Sequence, residues 1–209
     1  MQPGRFVSLE GGEGAGKSTQ VKALAQALRN RGVVVVETRE PGGSAGAEAI
    51  RDLLLKGDAD RWTPRAEALL FAAARSDHVS RVIRPAIGRG EWVIADRFLD
   101  SSRAYQGGSN GLVDEDILSL HRIGSEGFLP DRTLILAVSE DVAEARASAR
   151  DTDGPDRIGG RSQEYHRLVA NSFKRFAGQE PERFRVVDAS GSADAVTANL
   201  LEALADMLP

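Results

Sequence analysis

One segment near the N-terminus constrains this chain more than any other. Residues 11–18 read GGEGAGKS and fit the pattern G-x-x-x-x-G-K-[ST] through Gly11, Gly16, Lys17 and Ser18. The segment follows the apolar stretch RFVSLE and precedes residues of helical period. Glycines let backbone N–H groups turn inward around a phosphate, and the start of the following helix adds partial positive charge. The pattern therefore predicts a phosphate-binding P-loop and a nucleoside triphosphate as its ligand.

Within this loop, the predicted roles follow from the chemistry of the side chains. Lys17 is expected to reach the β- and γ-phosphate oxygens, and Ser18 is expected to supply a hydroxyl group to Mg²⁺. The residues expected to cradle the triphosphate are Gly11, Gly12, Glu13, Gly14, Ala15, Gly16, Lys17, Ser18 and Thr19.

Short apolar runs alternate with segments of helical period along the chain. The predicted strands are residues 5–10, 33–38, 91–95, 132–138 and 184–188. They are apolar almost without interruption, which is typical of parallel strands covered on both faces. Helical patterns occupy residues 21–28, 63–83, 114–121, 139–149, 165–176 and 192–208. The alternation predicts an α/β fold, a five-stranded parallel sheet doubly wound with helices on both faces.

Composition limits the classes of protein that remain. The 209 residues suit one domain spanning residues 1–209, with the weakly hydrophobic segment 151–163 as a mobile loop. A net charge of −4 gives no general attraction to nucleic acid or to anionic membranes. The absence of cysteine excludes disulfides and thiolate chemistry. No apolar run is long enough to span a bilayer and no apolar leader is present, so the cytoplasm is the expected location.

A second acidic position follows the third predicted strand, in the sequence VIADR at 93–97. Ligands of parallel sheets gather at the carboxyl ends of the strands, so Asp96 can hold Mg²⁺, usually through water. A helix cap or an ion pair with Arg97 is the alternative role for this carboxylate.

Several kinds of P-loop protein can be compared with the sequence. None of the four lysines follows an asparagine, so the N-K-x-D motif of a GTPase is absent. A small-molecule kinase fits the length, and it needs a donor cradle, an acceptor pocket and a lid bearing arginine. Phe71 and Arg75 are four residues apart on one predicted helix and share a face that can stack and hydrogen-bond a base. Ordinary core packing is the alternative for Phe71.

The chain resembles the thymidylate kinase family over essentially its whole length. The resemblance is carried by GGEGAGKST at 11–19, TREPGG at 38–43, FAAAR at 71–75, DRFLDSSRAYQGG at 96–108 and DRI at 156–158. It implies a P-loop NTPase fold with a mobile lid, and transfer of the γ-phosphoryl group of ATP to dTMP in dTTP synthesis. It also implies Mg²⁺ as a cofactor and a homodimer. The high apolar content of the helix beginning at Thr63 is consistent with a dimer interface.

Roles for the acceptor site also follow from the resemblance. Phe71 is expected to stack on thymine, while Arg75 and Gln106 contact the base or the acceptor phosphate. Tyr105 is expected to lie under the deoxyribose, where a 2′-hydroxyl would not fit. Glu13 is expected to approach the 3′-hydroxyl. The residues expected around the acceptor phosphate are Arg39, Arg97 and Ser101.

The family divides according to the position of its catalytic arginine. One branch carries arginine where this chain has Gly14, so this chain resembles the bacterial branch in which arginines of the lid act instead. The catalytic residues implied are Lys17, Arg97, Arg146, Arg150 and Arg157, with Arg161 as an additional candidate. A solvated pair is the alternative for Arg146 and Arg150, although like charges four residues apart disfavour a helix. Gly159 and Gly160 depart from the family, which commonly has glutamate there.

The expected mechanism needs no general base. A phosphate monoester has a second pKa of about 6, so its attacking oxygen is already anionic at neutral pH. His78, His121 and His166 lack the spacing of metal ligands and are predicted as surface or packing residues. Other nucleoside monophosphate kinases, and a nucleotide switch or partitioning ATPase that acts through partners, are the alternative functions.

Overall fold

The strands of the molecule form one parallel sheet. The computed structural model describes residues 3–58, 60–108, 112–139, 141–143, 145–146 and 157–208. The strands are β1 (Phe6–Glu10), β2 (Val35–Arg39), β3 (Trp92–Asp96), β4 (Arg132–Ala137) and β5 (Phe184–Asp188), in the order β2-β3-β1-β4-β5. All four pairings are parallel, which confirms the predicted five-stranded sheet.

Helices connect these strands. They are α1 (Lys17–Arg29), α2 (Ala45–Leu55), α3 (Pro64–His78), α4 (Arg84–Gly88), α5 (Leu99–Ser102), α6 (Asp114–Ser125), α7 (Gln163–Gln179) and α8 (Ala193–Glu202). Two π-helical segments, Val79–Ile83 and Arg103–Gly108, follow α3 and α5. Residues 141–143 and 145–146 are also helical. Among the described residues, no helix combines the length and the apolar character needed to cross a membrane.

Side-chain caps explain where several helices begin. Thr63 accepts a hydrogen bond from the backbone of Ala66 at the start of α3, and Pro64 occupies the first turn. The helix α6 begins without a side-chain cap. Val113 holds the cap position, and the Asp114 carboxylate accepts hydrogen bonds from Arg103 instead.

The long helix predicted over residues 63–83 is interrupted. The chain leaves α-helical geometry after His78, passes through the wide turn Val79–Ile83 and resumes in α4. Pro85 in α4 has no N–H, so it cannot donate to the carbonyl group of Arg81 as an ordinary helical residue would. The sequence pattern did not predict this change of pitch, nor that Leu69 on α3 is 55% exposed.

Buried apolar residues cover the sheet on both faces. On one face, Val7 and Leu9 of β1 pack with Leu24 and Leu28 of α1 and with residues of α8. On the other face, Phe6 packs with residues of α3, the π-helical turn and α6. Helices on both faces are therefore confirmed.

The sheet register places the ends of several strands together. Leu9 of β1 lies beside Asp96 of β3, and Asp96 in turn lies beside Arg39 of β2. The P-loop, the turn after β3 and the turn after β2 consequently meet at one edge of the sheet, where parallel α/β proteins bind ligands.

Candidate active site

The P-loop has the backbone geometry of a phosphate cradle. Gly11, Gly14 and Gly16 have positive φ angles of 138°, 71° and 88°, a region that disfavours side chains. No side chain caps the start of α1, so its first N–H groups have no side-chain acceptor. A helix start of this kind attracts an anion.

Lys17 crosses this loop and is largely buried. Its Nζ donates hydrogen bonds to the carbonyl oxygens of Gly11 and Gly12, at 3.0 and 2.6 Å. Burial, together with the nearby charge of Arg97, lowers the pKa of Lys17 to about 8, although the carboxylates around it oppose the shift. An anionic ligand would favour the charged form of this ammonium group.

The two predicted magnesium ligands lie next to each other. The Ser18 hydroxyl donates a hydrogen bond of 2.5 Å to Asp96 Oδ2. Within the described part of the chain, no cluster of three or more His, Cys, Asp or Glu residues could hold a metal ion alone. One hydroxyl and one carboxylate are what a Mg²⁺ ion needs when phosphate oxygens and water complete its coordination.

Gly14 packs against the helical residues that follow β4. A Cβ atom at this position would collide with the carbonyl oxygen of Ala143. The site therefore has no room for a side chain at residue 14, in agreement with the missing P-loop arginine. Arg146 lies close by, because its Nη1 donates to the carbonyl of Ala189 at 2.9 Å and approaches Gly16.

A cavity of about 770 Å³ extends from the P-loop across the edge of the sheet. Residues 13–19 and Arg146 line one part of it. The predicted acceptor residues all line the same cavity, namely Arg39, Phe71, Arg75, Arg97, Ser101, Tyr105 and Gln106. Arg51 of α2 also lines it, and the sequence analysis missed this residue because α2 was not predicted.

Arg97 joins the two parts of the cavity. Its backbone adopts a left-handed φ of 70°, and its guanidinium group forms an ion pair with Glu13 and donates to Ser101 Oγ at 3.1 Å. The guanidinium group also lies 4.9 Å from the centre of the Tyr105 ring. Arg97 therefore connects Glu13 of the P-loop with Ser101 and Tyr105, two residues that are predicted to contact the phosphate-accepting nucleotide.

Glu10 holds the turn after β3 in place through hydrogen bonds. Its buried carboxylate accepts hydrogen bonds from the backbone of Phe98 at 2.8 Å and from the Ser101 hydroxyl at 2.6 Å. Burial, together with the negative charge of Asp100, raises the pKa of Glu10 to about 7. No sequence motif marks Glu10, which ends the largely apolar strand β1.

A buried chain of polar groups holds Arg75. Its Nε donates to Glu40 Oε2 at 2.8 Å, and Glu40 Oε1 accepts from Nδ1 of His78 at 3.0 Å. The other ring nitrogen of His78 lies 2.6 Å from the Thr38 hydroxyl. Burial raises the pKa of Glu40, but Arg75 and His78 outweigh burial and hold the pKa below its ordinary value. His78 is thus a hydrogen-bonded link rather than the surface or packing residue that was predicted.

Another buried carboxylate, that of Glu67, holds two of the predicted lid arginines. Arg157 and Arg161 both donate to its Oε2, and the Arg161 bond is 2.7 Å long. Neither arginine lines the cavity, whereas Ile158 and Gly159 do. Of the predicted lid, residues 157–163 are described, and residues 151–156 lie outside the described residues. Arg150 also lies outside them.

The remaining histidines, His121 and His166, do not line the cavity themselves. His121 is buried, and its Nε2 lies 2.8 Å from the carbonyl oxygen of Phe128. Burial lowers the pKa of His121 to about 4, so this ring is neutral at physiological pH. His166 contacts the carbonyl oxygen of Gly159 at 3.1 Å.

Comparisons with known proteins agree with this geometry. The family model described as thymidylate kinase matches residues 9–200. A thymidylate kinase of Rhizorhabdus wittichii is 64% identical over 207 residues, which cover 99% of this chain and 100% of that protein. A thymidylate kinase of Caulobacter vibrioides is 46% identical over 208 residues, covering 100% and 99%. The crystal structure of thymidylate kinase from Ehrlichia chaffeensis superposes with a TM-score of 0.80 at 30% identity, covering 97% of this chain and 99% of that one.

Proposed function

The chain belongs to the thymidylate kinase family, whose ATP-dependent phosphorylation of dTMP to dTDP it catalyses, and we propose that both nucleotides bind in the cavity described above. The observation that carries the proposal is the lining of that cavity. A phosphate cradle forms one part, and aromatic and arginine side chains form the other. Its volume of about 770 Å³ lies in the range of small-molecule sites.

On the donor side, the phosphates of ATP lie against the backbone N–H groups of residues 13–19. Lys17 then donates its hydrogen bonds to phosphate oxygens instead of the carbonyl oxygens of Gly11 and Gly12. Arg146 neutralises part of the negative charge of the phosphates. Ser18 and Asp96 hold Mg²⁺, which supplies positive charge to the phosphates when it is bound. The contact between these two side chains supports the assignment.

On the acceptor side, Phe71 stacks on thymine, Tyr105 lies under the deoxyribose and Glu13 approaches its 3′-hydroxyl. Arg75 and Gln106 contact the base or the phosphate. The phosphate itself lies against Arg39, Arg97 and Ser101. The bonds of Arg97 to both Glu13 and Ser101 support this placement, because they fix the guanidinium group between the two nucleotides.

The reaction then depends on position and charge. The acceptor oxygen is already anionic at neutral pH, so the enzyme holds two polyanions in line and neutralises the charge that shifts between them. Lys17, Arg97, Arg146, Arg150 and Arg157 are the proposed catalytic residues. Arg157 must leave Glu67 to reach the cavity, and the assignment of Arg150 rests on the family resemblance.

A coupled ADP-release assay with ATP and Mg²⁺ tests the proposal. Among dTMP, dUMP, UMP, CMP and GMP, dTMP is expected to give the highest kcat/KM. Lys17→Ala is expected to reduce kcat by at least about a hundredfold, because the transferred charge loses its main cationic partner. Full activity of this variant would refute the cradle assignment, and a clear preference for another acceptor would refute the placement of thymine.

Three broader features belong to the same proposal. The whole chain forms one kinase domain, acts in the cytoplasm and pairs as a homodimer. Exposed apolar residues on two neighbouring helices, Leu69 of α3 and Ile123 of α6, support the dimer. Light scattering is expected to give twice the chain mass of 22.4 kDa, whereas a single chain mass would exclude the dimer.

A further inference from the structure

Glu67 is a buried acid one helical turn before Phe71. Its side chain has no exposed surface, and residues 67, 71 and 75 share one face of α3. Its two carboxylate oxygens have different partners. Oε1 accepts a hydrogen bond from Gln106 Nε2 at 3.0 Å, while Oε2 accepts from Arg157 and Arg161. The two guanidinium groups compensate the burial of the negative charge.

These partners determine which way the Gln106 amide faces. The nitrogen and oxygen of an amide must be distinguished by their hydrogen bonds, and a carboxylate paired with guanidinium groups can only accept. The amide nitrogen of Gln106 therefore faces Glu67, and its oxygen lies on the other side. Gln106 lines the cavity. Among the described residues its amide oxygen accepts no hydrogen bond, and it is also not one of the fully buried polar atoms that lack a partner, so it is in contact with the cavity. The amide oxygen is thus an acceptor that a ligand can reach.

An acceptor at this place discriminates between pyrimidines. Thymine and uracil carry an N–H group at ring position 3, whereas the same position of cytosine is an acceptor. A fixed acceptor in the cavity wall accepts a hydrogen bond from the N–H group of thymine or uracil. With cytosine, the same acceptor would face another acceptor and no hydrogen bond could form. We propose that Glu67 is a positioning residue that selects 4-oxo pyrimidines by holding the Gln106 amide oxygen toward the base. The inference rests on the proposed placement of the acceptor base beside Phe71.

The matched acceptors dTMP and 5-methyl-dCMP test this inference, because they differ only in the group at ring position 4 and the hydrogen at position 3. The measurement is the ratio of their kcat/KM values with ATP and Mg²⁺. In Glu67→Gln the side chain can donate as well as accept, so the Gln106 amide is free to turn. The ratio is expected to fall by about tenfold, the effect of one mismatched hydrogen bond. An unchanged ratio in folded Glu67→Gln would overturn the inference.

Arg161→Met is the matched control. This change removes a partner of Glu67 Oε2 but keeps the bond between Oε1 and Gln106. Rates with both acceptors can fall in this variant, but their ratio is expected to stay at the wild-type value. A fall as large as that of Glu67→Gln would show that the arginine pairing sets the preference, and would overturn the role given to Gln106.

Gln106→Leu keeps the inference falsifiable even if Glu67→Gln fails to fold. It removes the amide and is expected to lower the ratio by about as much as Glu67→Gln, and an unchanged ratio would refute the inference. In the double variant, Glu67→Gln is expected to add nothing further to the ratio, and a further fall would show that Glu67 acts by another route. Wild-type protein that does not phosphorylate dTMP would refute the proposed function itself, whereas dTMP turnover with unchanged ratios would refute only the role of Glu67.

Discussion

Buried carboxylates hold side chains of the cavity wall in place. Glu10 holds the turn that carries Arg97, and Glu40 holds Arg75. Each carboxylate is buried beside groups that donate hydrogen bonds to it, and each fixes the direction of a side chain that lines the cavity. Side chains held in this way lose little freedom when a nucleotide binds, so the wall is arranged in advance.

The raised pKa of Glu10 gives a measurable pH dependence. Unfolding returns the pKa from about 7 to its ordinary value of 4.5, so the native protein binds more protons between these values. The contribution of Glu10 to stability therefore decreases as the pH rises through this window. Glu10→Gln removes the titration, and its free energy of unfolding is expected to fall by about 2 kcal/mol less than that of the wild type between about pH 5 and pH 7.5. Urea denaturation across this range tests the difference, and parallel curves would contradict it.

At the scale of elements, the P-loop and the helical residues after β4 are fitted to each other. Gly14 combines a left-handed φ of 71° with close contact to the Ala143 carbonyl. Gly12, two residues earlier, has neither feature, since a Cβ atom there would meet nothing within 4 Å. The same short loop thus contains one glycine that the packing requires and one that the packing does not require.

This contrast predicts the effect of two alanine substitutions. Gly14→Ala is expected to lower the free energy of unfolding by about 2 kcal/mol or more, because left-handed backbone and a collision with Ala143 both oppose the new methyl group. Gly12→Ala is expected to stay within about 0.5 kcal/mol of the wild type. Thermal and urea unfolding measure both variants. Equal stability of the two would show that the packing against Ala143 does not constrain the loop.

For the whole molecule, local patterns were predictable and distant pairings were not. The P-loop and β5 could be predicted because their residues are neighbours in sequence, and the observed bounds of β5 equal the predicted ones. The predicted second strand began too early, because the N–H of Val33 still bonds to the carbonyl of Leu28 at the end of α1. The roles of Glu40 and Glu67 depend on partners 35 to 94 positions away, and no spacing rule encodes such pairs.

Another buried carboxylate, that of Asp100, connects α5, β4 and the segment before β5. Its buried carboxylate accepts hydrogen bonds from Arg103 at 3.0 Å, from Arg183 at 2.6 and 3.0 Å, and from Thr133 at 3.2 Å. Burial raises the pKa of Asp100, but Arg183 and Arg103 outweigh burial and hold the pKa below its ordinary value. The folded protein therefore favours the charged form of this carboxylate, which pairs with two largely buried guanidinium groups.

Removing this charge leaves Arg103 and Arg183 with the partly exposed carboxylate of Glu180 as their other shared partner. Asp100→Asn keeps the shape of the side chain, yet it is expected to lower the free energy of unfolding by about 3–5 kcal/mol, the usual cost of breaking a buried ion pair from one side. Asp206→Asn is the control, because Asp206 pairs with Arg132 while its own side chain is 62% exposed. Because solvent screens the exposed carboxylate, this pair is expected to contribute about 1 kcal/mol or less, although the Arg132 side chain is only 7% exposed. Urea denaturation of both variants measures the difference. Equal losses of stability would contradict the expectation that the buried carboxylate contributes more to the free energy of unfolding than the exposed one.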